Sequence, residues 1–280
     1  MSLTDTHGLK GQALPKAPPV QRFFQSTLVS VVIYLGVIGL IAWGSFTGAQ
    51  NMGYNWQWYR VPQYLYSFTD DGFQAGELLI GLGATIQLSL TAFVLACALG
   101  LLVALLRLSG LVIGAAVAVG FLELIRNIPL LVLLYLFYYV LGPIFGLDRY
   151  WASILTLAVF HAALISEILR AGINAVDKGQ WEAAKSIGMS TGQTYRWIIL
   201  PQTVRFMLPP MTGEIVHLIK SSAIVSVIAV AELTTFGRNI ISDTYMSFEI
   251  WFTVAIIYMA VTLLLSIGVS FLERRYAVDQ

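Results

Sequence analysis

The chain has 280 residues, of which 58% are apolar and 11% charged, with a mean hydropathy of +0.77. That leaves too little polar surface to coat a water-soluble domain, so the chain is read as an all-α polytopic membrane protein. A formal net charge of +1 argues against nucleic acid or an acidic partner held by bulk electrostatics. Cys97, the one cysteine, can form neither an intrachain disulfide nor a thiolate metal cluster and reads as a small packed thiol.

A span needs about 20 mostly apolar residues, and hydrocarbon forces its backbone into helices or a closed barrel. The apolar runs here are long and continuous, which favours helices. Residues 1–26 read as a polar tail. Thr27–Phe46 is the first span, kept as a signal anchor because it is too long for a leader and lacks a small-residue cleavage site. Asn51–Phe73 is an aromatic loop with Trp56, Trp58, Tyr59, Tyr64 and Tyr66, suited to an interfacial belt or to docking a soluble protein. Leu78–Leu106 and Leu111–Leu141 follow; Glu123, Arg126 and Pro129 predict a kink or break near Asn127 and Ile128 in the latter. Trp151–Ala171, Phe206–Val230 and Ile250–Leu272 complete six spans.

Lys and Arg accumulate in cytoplasmic loops. With the N-terminus inside, inner segments hold Lys10, Lys16, Arg22, Arg107, Arg170, Lys178, Lys185, Arg196, Arg205, Arg274 and Arg275, eleven of the sixteen. Outer segments hold Arg60, Arg149 and Arg238 and the acids Asp70, Asp71, Glu77, Asp148, Glu232, Asp243 and Glu249. Both termini and the loop from Gly172 to Gln202 are therefore expected on the cytoplasmic side.

That loop is polar and helix-forming in an otherwise apolar chain. Asp177 or Gly179 can start a helix, Trp181–Ile187 continues it, and Gly188 supplies the left-handed turn that ends it. Met189-Ser190-Thr191 restarts a second short helix to Leu200, which Pro201 is expected to close. Ala183 and Ala184 are small enough for a partner to approach the backbone, Glu182 offers a charge in the first turn, and Trp181 an anchor facing the membrane.

Glu182-Ala183-Ala184, Gly188 after three residues, and Ile198-Ile199-Leu200-Pro201 after nine more resemble the cytoplasmic coupling loop of ATP-binding-cassette importer permeases. Leu124-Ile125-Arg126-Asn127-Ile128-Pro129-Leu130-Leu131-Val132, Glu167-Ile168-Leu169-Arg170-Ala171-Gly172-Ile173, Leu200-Pro201-Gln202, Pro209-Pro210 and Lys220-Ser221-Ser222 extend the resemblance to the histidine/glutamine-type subgroup. Leu133, Leu164 and Gly213 depart from that subgroup's frequent Gln, Tyr and Asn. The resemblance implies a five-helix type I importer permease core over 76–276, with the coupling loop at 172–202. The extra N-terminal helix and aromatic loop, 27–75, precede it, and 277–280 form a cytoplasmic tail. It also implies a bacterial inner-membrane location, lipid surroundings and three kinds of protein partner: an ATPase dimer, a second permease subunit (copy or paralogue) and a periplasmic amino-acid-binding protein.

No G-x-x-x-x-G-K-[ST] run exists, so ATP and Mg are expected on the partner and no cofactor on this chain, which is not itself an enzyme. No metal motif is evident either. Charged groups inside spans face partners or a water-filled path; the candidates are Glu123, Arg126, His161, Glu167, Glu214, His217 and Lys220. Spacing allows Glu123–Arg126, Glu214–His217 and His217–Lys220 pairs. Glu123, Arg126, Glu167 and Arg170 also suit structural pairing near the cytoplasmic boundary. His161 and Glu214 fit an amino acid best, since its ammonium group needs an acceptor and its carboxylate a donor, and His217, Arg126 and Glu167 complete the expected pathway. A secondary transporter with Glu167 and Glu214 as ion sites would be expected to carry an internal repeat, and none is evident; a non-transporting scaffold is a further alternative.

Overall fold

The computed structural model describes residues 27–70 and 72–276. The tails 1–26 and 277–280, with Lys10, Lys16 and Arg22, and the loop acid Asp71 lie outside the described residues. The chain divides between Trp56 and Gln57 into two compact units. The first holds α1, Thr27–Asn51, five residues longer than the expected span; Thr47 Oγ1 donates back to the Trp43 carbonyl at 2.9 Å across the added turn.

The second unit opens with a 3₁₀ turn, Trp58–Arg60, then α2, Pro62–Leu65. An antiparallel hairpin follows, β1 Tyr66–Thr69 and β2 Gly72–Ala75, with Tyr66 opposite Ala75 and Phe68 opposite Phe73. The sequence reading has only a loop there. The unit boundary falls inside the 27–75 segment because Val61, Tyr64 and Leu65 pack with Leu78, Leu233, Ile240 and Met246.

Next come α3, Glu77–Leu108, and α4, Val112–Arg126. The chain then bends by 105° into α5, Leu130–Tyr135, a π-helical stretch over Leu136–Leu141, and α6, Gly142–Phe145. The break falls where Asn127 and Pro129 predict it, since proline disfavours helical backbone at the residue before it. Asp148 caps α7, Arg149–Asn174, by accepting from the Trp151 amide at 2.8 Å.

The loop helix α8, Lys178–Ser186, is followed by α9, Thr191–Thr194, a π-helical stretch over Tyr195–Ile199, α10, Leu200–Ser221, and a 3₁₀ stretch over Ser222–Ile228. α11, Leu233–Thr244, and α12, Ser247–Tyr276, end the fold. Pro201 does not close a short helix, contrary to the sequence expectation. The helix runs on from Thr191 to Ile228, because the wide π turn carries the Leu200 amide to the Tyr195 carbonyl immediately before the proline, which has no amide to give. The same arrangement recurs at Leu136–Leu141 before Pro143.

α3 and α7 form the centre. Leu88 clusters with Ile154 and Leu157, a Cβ on Gly100 would stand 3.0 Å from the Ala162 carbonyl, and Arg107 pairs with Glu167. These contacts ascend together, so the two helices run parallel. The stripe Ala92, Ala96 and Gly100 at i, i+4 and i+8 lets the backbones approach closely, as membrane helix pairs require. Parallel neighbours need a return crossing between them, and the bent pair α4–α6 is the element that makes it. Among the described residues, five helices are long and apolar enough to span, and counting the bent pair as one span makes six.

Candidate functional site

Two regions hold the sequence-predicted residues. The loop closes at α8 by a complete set of caps. Asp177 accepts from the Gly179 amide at 2.6 Å to start it. Gly188, at φ +77°, ends it with the Gly188 amide on the Lys185 carbonyl at 3.0 Å and the Met189 amide on the Ala184 carbonyl at 3.1 Å, the Schellman pattern. Ser190 and Gln193 then cap the next helix reciprocally: the Ser190 amide donates to Gln193 Oε1 at 2.9 Å and the Gln193 amide to Ser190 Oγ at 3.4 Å. Gln202 Nε2 reaches Gln180 Oε1 at 3.2 Å across the elbow.

The triplet Glu182-Ala183-Ala184 divides by face. Ala184 is fully buried, which corrects its expected place on a partner surface. Trp181 is half-buried rather than anchored toward lipid, with its ring edge-on to Tyr195 at 5.1 Å, over a cluster of Ile173, Val176 and Ile199. Glu182, Ala183 and Gly188 are exposed, as are Ile187, at 74%, and Leu200. Pro201 is exposed and Ile198 half-buried. Inward residues lock the elbow to the ends of the spans, and outward ones form a surface.

The second region lies between α7 and α10, which run antiparallel: Gly172 meets Thr203 and Met207, and Leu157 clusters with Leu218. Midway, fully buried His161 places Nδ1 2.5 Å from Glu214 Oε1. His217, one turn on from Glu214, brings Nδ1 to 3.7 Å from Oε2, and the two imidazoles lie edge-on at 5.2 Å. One ligating atom from each of the three falls within 4.8 Å of the others.

The other expected pathway residues stand apart. Glu167 lies six residues along α7 from His161, about 9 Å of helix rise, and is claimed by Arg107 and by Arg170 at 2.8 Å. It lines a cleft of about 530 Å³ with Ile168, Ala171, Gly172, Phe206 and Pro210, toward the coupling loop. Arg126 is exposed at the end of α4. The allowed Glu123–Arg126 pair is not formed; Glu123 instead accepts from Asn127 Nδ2 at 3.3 Å. His217 takes Glu214 rather than Lys220, which is exposed.

Two acids read from sequence as outer-loop charges are buried. Glu232 caps α11, accepting from the amides of Thr234 and Thr235 at 2.8 and 2.7 Å and from the Tyr258 hydroxyl at 2.9 Å. Burial pushes its carboxyl up from the usual 4.5, against those hydrogen bonds, which pull it down. Glu249 accepts from the Gln57 amide at 2.6 Å. The i, i+2 and i, i+3 threonines after Glu232 are the signal of an N-cap that charge counting overlooks.

A family model described as a binding-protein-dependent transport system inner membrane component matches residues 96–278. The chain belongs to this family. The permease is 37% identical over 193 residues to a probable glutamine ABC transporter permease protein, GlnM, of Bacillus subtilis, covering 68% of this chain and 89% of that protein. It is 35% identical over 204 residues to the glutamine transport system permease protein GlnP of Escherichia coli K12, covering 72% and 93%. Among solved structures, a crystal structure of an amino acid ABC transporter with histidines matches with a TM-score of 0.67 and 39% identity, over 71% of this permease and 94% of that chain. The expected class, a multi-pass inner-membrane component of an importer, therefore stands.

Proposed function

We propose that the permease forms half of an ATP-driven importer for a polar amino acid. The amide and carboxylate chemistry handled by relatives named for glutamine transport supports that substrate class. The observation that carries the reading is the loop over 177–201: every helix end in it is capped from within, so it is stiff, while Glu182, Ala183 and Ile187 face outward. A stiff, self-satisfied element on the ends of two spans transmits a push from a docked ATPase as rigid-body motion of α7 and α10. The ATPase dimer binds ATP and Mg, with both permease termini and the loop on its side of the membrane. A second permease subunit, copy or paralogue, completes the path, and a periplasmic binding protein delivers the amino acid from the other side.

His161, Glu214 and His217 meet the substrate midway. Glu167, with Arg107 and Arg170, lines the cleft toward the coupling loop through which the substrate leaves. Pro209 and Pro210 interrupt α10 between the two sites, freeing the carbonyls of Arg205 and Phe206 from helix bonding and giving the helix a place to flex. Residues 27–75 add one further helix and an interfacial aromatic segment. The test is purification of the tagged permease from native membranes in mild detergent, followed by reconstitution with what accompanies it. Recovery of a P-loop ATPase, and uptake that survives an uncoupler but stops without ATP, is the expected result. Uptake by the chain alone on an ion gradient overturns the reading in favour of a secondary transporter.

A further inference from the structure

The polar cluster between α7 and α10 has a composition that amino-acid recognition does not require: two imidazoles on one carboxylate. Glu214 and His217 stand at i, i+3 on α10, the spacing by which a helix offers a carboxylate and an imidazole to the same ion, and His161 completes the set from the neighbouring helix. His161 has no exposed surface. Its Nδ1 is taken by Glu214, and its Nε2 is buried without a hydrogen-bond partner. Whichever tautomer it adopts, one of the two buried nitrogens gains nothing from water, and an unpaired buried polar atom costs roughly 1–3 kcal/mol. Nε2 is therefore open to serve as a ligand atom, and a bound ion is one explanation for a buried polar atom without a partner.

We infer that His161, Glu214 and His217 form a binding site for a divalent transition-metal ion of the zinc class. Two imidazoles and a carboxylate are borderline nitrogen and oxygen donors, which suit Zn²⁺, Co²⁺ or Ni²⁺ and not Mg²⁺ or Ca²⁺, whose shells are built from oxygen. Bonds of about 2.0–2.2 Å in tetrahedral geometry set ligand atoms roughly 3.3 Å apart. One ligand atom from each of the three residues lies within 4.8 Å of the others, so the widest pair must close by up to about 1.5 Å to reach that spacing. That is within reach of side-chain rotation without moving a helix. Three protein ligands leave a fourth position for water, and His217, whose side chain is half exposed, marks the side from which an ion enters. The ion ties α7 to α10.

Metal binding is measured without amino acid and without ATP, so its outcome is separate from that of the transport reading. The full permease, with the subunits that copurify and a tag free of histidine, is titrated in nanodiscs with ZnCl₂ by calorimetry and with CoCl₂ by visible absorption. The chain has three histidines, and the remaining one is His7, so His7→Ala serves as the control. The expected result is one ion per permease chain, an intense tetrahedral cobalt band, and loss of affinity by roughly tenfold or more in His217→Ala and in Glu214→Gln, with His7→Ala unchanged. Glu214→Gln keeps the side-chain shape, so it reads the site even if His217→Ala disturbs packing. Absence of saturable binding in the unaltered protein, or equal binding in both site variants, overturns the inference.

Discussion

The coupling loop and the cluster between α7 and α10 are built on opposite plans. In the loop, the hydrogen bonds that cap the helix ends join residues within a few positions: Asp177 to Gly179, Lys185 to Gly188, Ser190 to Gln193. In the cluster, His161 and Glu214 are separated by 53 residues and meet because two long helices run antiparallel. The loop is stable through local hydrogen bonding and functions through what it exposes. The cluster depends on tertiary packing and functions through what it encloses. A change in the first should alter coupling and spare the fold, whereas a change in the second should strike transport itself.

The sharpest test of that contrast is Glu214→Ala or His161→Ala. Either leaves a buried partner without its hydrogen bond, at roughly 1–3 kcal/mol, and removes the polar step midway along the path. Uptake in proteoliposomes should fall to background while assembly with the ATPase and basal ATP hydrolysis persist. Unchanged uptake kinetics in both variants would remove the cluster from the pathway and collapse the comparison.

Gly188→Val comes next, on the side of the loop. At φ +77° a β-branched residue is strained by about 1–2 kcal/mol, and the Schellman closure must loosen. ATPase association, measured by copurification or surface binding, should weaken by about tenfold, since each 1.4 kcal/mol is a factor of ten. Glu182→Lys should weaken it also by reversing an outward charge, with no loss of thermal stability in the permease itself. Full retention of the complex in both variants would show that the loop is not the contact.

How legible each region was in the sequence follows from the same difference. Capping and turn chemistry are written in adjacent letters, so Asp177, Gly188 and the break before Pro129 are found at their predicted places. What failed was directional. Ala184 turns inward, Trp181 packs on Tyr195, and the helix continues through Pro201 because a π turn absorbs the proline. Treating every charge within a span as a pathway candidate also grouped Glu167 with His161, although about 9 Å of rise separates them and Glu167 makes the structural pair with Arg170 that its position suited. The i, i+3 pairing of Glu214 with His217 was visible, and His161 was named beside Glu214; their direct contact was not, since nothing local specifies which helices become neighbours.

A smaller effect divides the two alanines of the triplet. Ala184→Leu forces a larger side chain into a filled site and should cost about 1–3 kcal/mol, seen as a lower melting temperature and easier proteolysis near the elbow. Ala183→Leu, on the exposed face, should leave melting unchanged and act only on ATPase affinity. Equal melting shifts in the two would mean that the faces are not distinct.

The smallest effect concerns Glu232, which extends the contrast to a residue whose local letters describe a cap and whose surroundings describe a core. Its folded pKa is raised above the usual 4.5 by burial, so between those two values the folded chain holds a proton that the unfolded chain has released. Stability from this group is therefore greatest below 4.5 and is lost as pH rises through the raised folded value. Above that value the charged carboxylate stays buried, and the desolvation penalty is carried in full. Replacement by glutamine removes the charge and keeps one oxygen, enough for one of the two amides that Glu232 accepts from, Thr234 or Thr235. The melting temperature of Glu232→Gln minus that of the unaltered permease should accordingly be most positive at neutral pH and shrink on acidification. A difference that is flat with pH would mean that the cap bonds of Thr234, Thr235 and Tyr258 offset burial fully, and that Glu232 is governed by its local letters after all.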